Sequence, residues 1–312
     1  MPASSGEICK GKEEKDMEKE RGAEGFFGGR PLEDLAFAIV GLGLIGGSYA
    51  KALRNLRVRR VLGADISHGI ARACRNANLI DDIIEPGGPS LSEADVVLFC
   101  LYPSAVEAYI REHGSEFRPG MLVTDATGVK GKLPETIQSL LPAGCEFLSG
   151  HPMAGRQGSG LGMSDAAIFQ GASYILVPTE RNTAVARAWM EQFARALGCA
   201  RTVAVTAAEH DRIIAYTSDL PHITAVSLVN SSSYSENTKY FIAGGFRDAT
   251  RVADINPELW SDLFLANGEN VLAEIEKLQK QLDRWHRAVA DKDRGALQDI
   301  LREAGPRRRQ LY

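Results

Sequence analysis

The sequence has no hydrophobic run that approaches the roughly 18 consecutive apolar residues of a transmembrane helix. Residues 1–10 also lack the apolar stretch of a secretory signal. Cysteine is scarce: the five cysteines are widely spaced and include no Cys-x-x-Cys pair, which argues against a disulfide framework or a zinc site. We therefore expect a protein of the reducing cytoplasm that needs no metal and has no membrane partner.

An excess of basic charge is absent as well. The 36 Lys and Arg residues are outnumbered by 40 Asp and Glu residues, so the net charge of −4 gives no reason to expect a nucleic-acid partner. The hydrophobic content of 44% and the charged content of 24% are those of a globular protein. The 312 residues are enough for two ordinary domains, each with its own core.

The pattern along the chain predicts three parts. Residues 1–34 are expected to be a disordered charged tail, because Lys10 to Glu24 mix both signs of charge with almost nothing to bury. In residues 35–205, short apolar runs alternate with helix-forming stretches, which indicates an α/β, Rossmann-like domain with a parallel sheet covered by helices. The predicted strands are Ala36–Val40, Val61–Ala64, Val96–Leu101, Leu122–Thr124, Cys145–Leu148, Tyr174–Val177 and Arg201–Val205.

Residues 206–312 are predicted to form an all-helical domain. Thr206 and Glu209 have the spacing of a capping box that opens a helix. Pro221 lies inside an apolar helical pattern, so a kink or break is expected just before His222. The triplet Asn256-Pro257-Glu258 predicts another helix start, with an N-cap, a proline at the first position and an acid near the positive end.

A heptad seam follows in this helical part and predicts dimerisation. Its apolar residues are spaced alternately by four and three positions, a pattern that buries itself against another helix. The partner helix could belong to this chain or to a second subunit; we favour a homodimer. The seam residues are Val271, Ile275, Leu278, Leu282, Trp285 and Val289.

A glycine-rich stretch between the first predicted strand and helix is typical of dinucleotide binding. Gly41 permits the tight turn, Gly43 lets the backbone approach a pyrophosphate, and Gly46 allows close packing of helix on strand. The pyrophosphate would lie on the amide groups at the start of the helix, at Leu44 and Ile45. The glycine pattern alone is weak evidence, but dinucleotide binding requires such a loop between a strand and a helix, which is where this one lies.

An acidic residue at the end of the second strand predicts the cofactor. Asp65 lies 22 residues after Gly43, where a carboxylate accepts hydrogen bonds from the ribose hydroxyls and repels a 2′-phosphate. The next three residues contain no Arg or Lys that would bind that phosphate. We therefore predict NAD rather than NADP.

A histidine follows the predicted strand 145–148. This places His151 at the carboxyl edge of the sheet, where open α/β folds bind their ligands. A single histidine is more often structural than catalytic, and its position beside a nucleotide site favours catalysis.

Five motifs in order resemble the prephenate dehydrogenase family from Leu35 to about residue 290. The first is shared by many dehydrogenases, whereas the last three, in this order, are specific. They are Gly41–Ser48 (GLGLIGGS), Asp125–Lys130 (DATGVK), Gly150–Gly155 (GHPMAG), Leu220–His222 (LPH) and Gly244–Arg251 (GGFRDATR).

The resemblance implies an NAD-dependent oxidative decarboxylation. In this family a hydride leaves the ring carbon that bears the hydroxyl, the hydroxyl proton is removed, and the ring carboxylate departs as carbon dioxide while the ring aromatises. The position that matches the family's catalytic base is His151, and an imidazole suits this role near neutral pH. The expected substrate is prephenate, with arogenate, or both, as the alternative.

The resemblance also implies how the dianionic substrate is held. Arg251 matches the family's substrate arginine, whose guanidinium can bind a carboxylate through two parallel hydrogen bonds. Arg247 is a second candidate cation, and His222 matches a position that lines the substrate pocket. Trp260 matches an aromatic near the same site, although core packing explains it nearly as well. No regulatory domain is expected after the helical part, so feedback by tyrosine would act at the active site.

The sequence departs from the family at three positions. Many relatives have a serine at Gly128 that orients the catalytic histidine; here that role passes to Thr127 or to water, and the sequence leaves both open. Gln157 replaces a frequent glutamate. Asp219 replaces a frequent histidine. We hypothesise that its carboxylate attracts the ammonium group of arogenate and so favours arogenate over prephenate.

Two other functions share some of these sequence features. A 3-hydroxyacid dehydrogenase would join a similar domain to helices, but it would carry a catalytic lysine on a glycine-rich helix, and residues 180–212 contain no such segment. A nucleotide-sensing or scaffolding protein would keep the glycine loop and have no use for His151 with Arg251.

Overall fold

The computed structural model of the chain describes residues 25–156 and 158–311. These form two compact units. The first runs through Asp211 and also contains Ile255–Leu263, and the second contains Arg212–Asp254 and the residues from Phe264 onward. The first unit's long segment ends at Asp211, and its last two residues, His210 and Asp211, are buried.

The predicted tail requires a correction from Gly25 onward, whereas its residues 1–24 lie outside the described chain. Phe27 is only 8% exposed, and its ring meets that of Trp189 edge-on at 5.2 Å. Arg30 forms an ion pair with the buried Asp95 at 2.8 Å. The aromatic pair at 26–27 therefore gives this segment something to bury, which the charged residues before it lack.

Six parallel strands form the first sheet, in the order β3-β2-β1-β4-β5-β6. This is the order of doubly wound dinucleotide-binding folds, and it confirms the predicted fold class. The direction in which successive strands are added to the sheet reverses between β1 and β4, and such folds bind their ligands at this point. The strands are Ala36–Val40 (β1), Arg60–Ala64 (β2), Asp82–Ile83 (β3), Val96–Phe99 (β4), Leu122–Asp125 (β5) and Glu146–Phe147 (β6).

Apolar side chains cover both faces of this sheet. Along β1, Phe37 and Ile39 belong to one buried cluster, while Ala38 and Val40 belong to another. Consecutive side chains of a strand point to opposite faces, so the continuous apolar run of β1 reflects burial on both sides. The helices of this unit are Leu44–Asn55 (α1), His68–Asn76 (α2), Pro103–His113 (α3), Leu133–Leu140 (α4) and Ala184–Ala196 (α5).

A second, three-stranded sheet contains the last two predicted strands. Ser149–Pro152 (β7) is antiparallel to Ser173–Val177 (β8), which is parallel to Arg201–Ala204 (β9). The separate strand β7 was not predicted, because its sequence SGHP has no apolar run. His151 lies within this strand rather than in a loop after β6.

The remaining chain is helical, as predicted. The Asn256 side chain accepts the Leu259 amide at 2.8 Å and caps its helix. The kink or break expected just before His222 takes the form of a π-helical segment, Ala215–Asp219, which leads directly into a helix that has Pro221 in its first turn. The helix is therefore locally irregular at this point but not interrupted. The helices are Ala207–Ile214 (α6), Leu220–Val229 (α7), Gly244–Thr250 (α8), Pro257–Ala266 (α9), Gly268–Ala290 (α10) and Arg294–Leu311 (α11).

The predicted heptad seam lies entirely on α10. Val271 is buried, but Leu282, Trp285 and Val289 are 56%, 37% and 62% exposed in the single chain. The intrachain packing therefore covers only the beginning of the seam. In the described ranges, no helix is both long and apolar enough to cross a membrane.

Candidate active site

The glycine loop between β1 and α1 has the geometry that close backbone approach requires. Gly41 has φ +92°, and a Cβ there would lie 2.5 Å from the carbonyl oxygen of Cys100 at the end of β4. A Cβ on Gly46 would overlap the carbonyl oxygen of Gly41. Gly43, in contrast, faces open space. Side chains are excluded at the first and last glycine, and room is left in front of the middle one.

The start of α1 fits an anionic group. The helix begins at Leu44, its N-cap Gly43 makes no side-chain capping bond, and its first turn contains no acidic residue. The first amides of the helix, including those of Leu44, Ile45 and Gly46, have no intrahelical acceptor. An anion such as the pyrophosphate of NAD would be stabilised there by these amides and by the helix dipole.

Asp65 lies directly after β2 and holds the glycine loop. Its Oδ2 accepts the Leu42 amide and its Oδ1 accepts the Ser67 amide, each at 2.8 Å. A carboxylate oxygen can accept more than one hydrogen bond, so these bonds leave acceptor capacity for ribose hydroxyls. The half-buried carboxylate thus fits the predicted cofactor position and also fixes the loop beside it.

His151 is the first member of a three-residue relay. Its Nδ1 is 2.9 Å from Nε2 of His210, and Nδ1 of His210 is 2.7 Å from Oδ1 of Asp211. The Asp211 carboxylate also accepts the amides of Lys130 and Gly131, at 2.9 and 2.7 Å. His210 and Asp211 are 2% and 5% exposed, whereas His151 is half-buried.

The relay determines which nitrogen of each ring carries the proton when both rings are neutral. An ionised carboxylate only accepts, so His210 donates from Nδ1 to Asp211 and is left with an acceptor at Nε2. His151 must then donate from Nδ1, which leaves its Nε2 with a lone pair. The geometry therefore presents Nε2 of His151 as a base.

Burial and nearby charge keep the His151 ring neutral. Burial lowers the pKa of His151 well below its ordinary value, and the Lys130 ammonium and His210 act in the same direction. Burial opposes ionisation of Asp211, but hydrogen bonds from His210 and from two backbone amides hold the pKa of Asp211 below its ordinary value. The relay thus joins a neutral base to a carboxylate that stays ionised.

Thr127 lies beside this relay in a second buried network. It is 2% exposed, and its hydroxyl contacts the Asp125 carboxylate, the Val129 carbonyl at 3.2 Å and Lys130 Nζ at 3.1 Å. The hydroxyl predicted to replace the family serine is therefore engaged with protein groups. Gly128 itself is half-buried, and a Cβ there would lie 3.3 Å from Leu263, a contact that a flexible side chain can relieve.

The predicted substrate residues Asp219, His222, Arg247 and Arg251 belong to the second unit, whereas Trp260 belongs to the first. His222 Nδ1 donates to the Ser218 carbonyl at 2.8 Å, which leaves Nε2 as an acceptor in the neutral ring. Burial lowers the pKa of His222, the hydrogen bond to Ser218 opposes this, and the positive charge of Arg251 lowers the pKa further. Arg247 and Arg251 are both exposed and lie one turn apart at the end of α8.

Asp219 occupies the last position of the π-helical segment. It is 1% exposed, and its Oδ2 accepts from the Asn267 amide group at 3.0 Å. π-Helical turns are frequent at functional sites. Gln157, the other departure from the family, lies outside the described residues.

Sequence reasoning missed three residues of this site: His210, Asp211 and Lys130. His210 and Asp211 fall in the helix predicted to open at Thr206 and were given no role, although a His-Asp pair close after the helix start was a usable signal. Lys130 was noted only as part of a motif. Its burial follows from the partner at Asp125, which one sequence cannot reveal.

The two parts of the chain match known family domains. Residues 49–202 match "Prephenate dehydrogenase, nucleotide-binding domain", and residues 206–303 match "Prephenate dehydrogenase, dimerization domain". Among curated proteins, the chain is 33% identical over 261 residues to a prephenate dehydrogenase of Bacillus subtilis, covering 82% of this chain and 70% of that protein. It is 30% identical over 273 residues to a cyclohexadienyl dehydrogenase of Zymomonas mobilis, covering 86% and 92%.

A solved structure supports the same relationship. The chain resembles prephenate dehydrogenase from Aquifex aeolicus in complex with hydroxyphenyl propionate and NAD+. The TM-score is 0.80 with 27% sequence identity, and the likeness covers 91% of this chain and 100% of that one.

Proposed function

The chain belongs to the prephenate dehydrogenase family, and we propose that it converts prephenate to 4-hydroxyphenylpyruvate with NAD, a step of tyrosine biosynthesis. One observation carries the assignment of its base: the Asp211–His210–His151 relay leaves a lone pair on His151 Nε2. The family membership removes the 3-hydroxyacid dehydrogenase and the non-enzymatic scaffold as alternatives.

The reaction requires a base at the ring hydroxyl of the substrate. NAD, when bound, supplies the hydride acceptor. His151 Nε2 takes the hydroxyl proton as the carbon–oxygen bond becomes a carbonyl, and general bases of this kind contribute about 10²–10⁴-fold. As His151 becomes cationic, its Nδ1 proton is held by His210, and the carboxylate of Asp211 stabilises the added charge. Loss of carbon dioxide then follows from aromatisation of the ring.

The cofactor is held by the first unit. Gly41, Gly43 and Gly46 would let the pyrophosphate reach the amides at the start of α1, and Asp65 would accept from the ribose hydroxyls. A 2′-phosphate would meet the Asp65 carboxylate at close range, so NADP is disfavoured by charge repulsion.

Cations of the second unit hold the substrate carboxylates. Arg251 binds the side-chain carboxylate through its two-pronged guanidinium, and Arg247, one turn away, adds a second positive charge. His222 lines the substrate pocket, with its ring oriented by the bond from Nδ1 to the Ser218 carbonyl. Thr127 acts indirectly, because its hydroxyl belongs to the buried network rather than to an open surface.

Arogenate is the alternative substrate, and Asp219 is the observation that favours it. Its carboxylate would attract the ammonium group that arogenate has in place of the keto group. The assay that decides is kcat/KM for both substrates with NAD, on the native chain and on Asp219→Asn. A preference for prephenate of about tenfold or more in the native chain removes the arogenate alternative; no turnover of either substrate refutes the proposed function.

We also propose that the protein works as a homodimer in the cytoplasm. Residues 206–303 match a dimerization domain, and Leu282 and Val289 on α10 are 56% and 62% exposed in the single chain. A second copy would cover this seam. Sedimentation of the purified protein should give twice the monomer mass. Four described cysteines hold free thiols, which fits a reducing compartment.

A further inference from the structure

Strand β7, which carries His151, lies at the edge of the second sheet and pairs with β8 on one side. Met153 continues this pairing by donating its amide to the Ser173 carbonyl. The backbone N–H and C=O groups of the odd-numbered residues of β7 therefore point toward β8. The backbone groups of Gly150 and Pro152 point to the opposite side, where the described chain has no further strand of this sheet. Pro152 has no amide hydrogen, but Gly150 presents both a donor and an acceptor that need partners.

A buried ion pair satisfies both groups. Gly150 donates its amide to Asp125 Oδ1 at 3.1 Å, and its carbonyl accepts from Lys130 Nζ at 2.6 Å. Asp125 and Lys130 bind each other at 2.7 Å, and neither side chain has any exposed surface. The hydroxyl of Ser149 adds a further bond to Asp125 Oδ1, at 2.6 Å. The ion pair therefore forms the hydrogen bonds to the outer edge of β7 that a neighbouring strand forms elsewhere in a sheet.

We propose that the Asp125–Lys130 ion pair positions the catalytic base: it replaces a missing strand along β7 and fixes the peptide plane that joins Gly150 to His151. This inference rests on the proposed role of His151. Catalytic groups must be held within about 0.5 Å of their productive geometry, which one bond from His151 to His210 does not ensure.

Lys130 connects the two supports of the base. Its three ammonium hydrogens match three acceptors, on Asp125, on Thr127 and on the Gly150 carbonyl. Its backbone amide donates to Asp211, which anchors the relay. A displacement of Lys130 would therefore disturb both the strand before His151 and the carboxylate behind His210.

The packing around Gly150 leaves the strand little freedom. A Cβ at this position would lie 2.7 Å from the ring of Tyr174 and 3.2 Å from the carbonyl oxygen of Asp125. A side chain is therefore excluded at position 150, and the backbone of β7 packs close to Tyr174. Displacement of the strand is opposed by the two bonds to the ion pair.

The charge of Lys130 adds an effect that a neutral donor would not. In the first unit, the titratable groups that face the His151 ring are Lys130 on the loop after β5 and His210 on α6. Asp125 and Asp211 lie behind them. The ammonium disfavours a positive charge on His151, so the ring stays available as a base in mildly acidic solution.

The test removes the ion pair without leaving a buried charge. In the double variant Asp125→Asn/Lys130→Met, Asn can still accept the Gly150 amide, whereas the Gly150 carbonyl loses its donor. We expect kcat to fall by between about tenfold and a hundredfold, with KM for prephenate and Kd for NAD changed by less than about threefold. The acid limb of kcat/KM should move to higher pH.

A matched control is Gln138→Met. Gln138 is buried and holds the edge strand β6 in the same way, by donating to the Cys145 carbonyl at 3.0 Å and accepting the Phe147 amide at 2.7 Å. This variant should lose comparable stability in thermal unfolding. It should keep kcat and the acid limb of the native chain, because β6 does not carry the base.

The double variant would overturn the inference if it kept kcat within about threefold and kept the acid limb at the native pH. Should it fail to fold, Thr127→Val removes a single acceptor from Lys130 Nζ. It should lower kcat about threefold at unchanged KM, and an unchanged kcat would count against the ion pair. Failure of the proposed function would be distinct, because the native chain itself would not reduce NAD.

Discussion

Replacement of Asp211 by Asn tests the relay directly. The donors to this carboxylate include the His210 ring at Oδ1, the Lys130 amide at Oδ1 and the Gly131 amide at Oδ2. An Asn side chain has one oxygen and one NH2 group. Whichever way it is turned, its NH2 group faces a backbone amide that also donates.

Either orientation impairs the base. With the NH2 group toward His210, that ring must accept at Nδ1 and donate at Nε2, so His151 loses its free lone pair at Nε2. With the oxygen toward His210, the tautomers stay correct, but no negative charge stabilises protonated His151. A hydrogen bond to a charged group contributes about 1.5–3 kcal/mol. About 3 kcal/mol in the transition state corresponds to roughly a hundredfold in kcat, since 1.36 kcal/mol is a factor of ten.

The assay follows NADH absorbance with saturating prephenate, and Kd for NAD is measured separately. We expect kcat of Asp211→Asn to fall about a hundredfold while NAD affinity stays unchanged, because the glycine loop is not altered. Glu209→Gln is the matched control, since it removes an exposed carboxylate from the same helix. A kcat within about threefold of the native value would refute the idea that Asp211 sets the tautomer of His151.

Four further outcomes are expected. His151→Asn should lower kcat at least about a hundredfold with NAD affinity nearly unchanged, as measured by steady-state kinetics and cofactor titration. Arg251→Ala should raise KM for prephenate strongly while kcat changes little; a raised KM for NAD instead would contradict its role. Gly46→Ala should abolish NAD binding in calorimetry, because its Cβ would overlap the Gly41 carbonyl oxygen. Acid should destabilise the fold below about pH 6.5, the ordinary pKa of a histidine. Burial and Lys130 lower the pKa of His151 in the folded chain, so below this pH the unfolded chain binds more protons at this residue than the folded chain does. Unfolding in denaturant should show this loss, and His151→Asn should reduce it.

The first sheet was predictable because its strands are continuous apolar runs. β1, β2, β4 and β5 are buried on both faces, and such strands need little more than burial to be recognised. The two-residue strand β3 is too short to show any pattern. The glycine loop was predictable for a different reason, since backbone crowding leaves Gly41 and Gly46 no alternative.

The catalytic strand was not predictable, because polar contacts hold it rather than apolar ones. Nothing in Ser149–Pro152 alternates or clusters, and its edge is satisfied by side chains that lie about 20 residues earlier in the sequence. Likewise, His210 comes close to His151 only after α6 has folded against β7. The seam on α10 differs from the catalytic strand, because its heptad periodicity was clear from the sequence. The single chain nevertheless leaves the second half of the seam exposed.

The position of His151 between two opposite charges explains how one ring can be both neutral and catalytic. The Lys130 ammonium disfavours a proton on His151 before the reaction, while the Asp211 carboxylate acts on it only through His210. When Nε2 accepts the substrate proton, the Nδ1 proton is already directed at His210, whose ring centre is 5.1 Å away. Positive charge can therefore spread along the relay, away from Lys130 and toward Asp211, as it forms. A carboxylate directly beside His151 would raise the pKa of its ring, and the second histidine separates the base from that carboxylate.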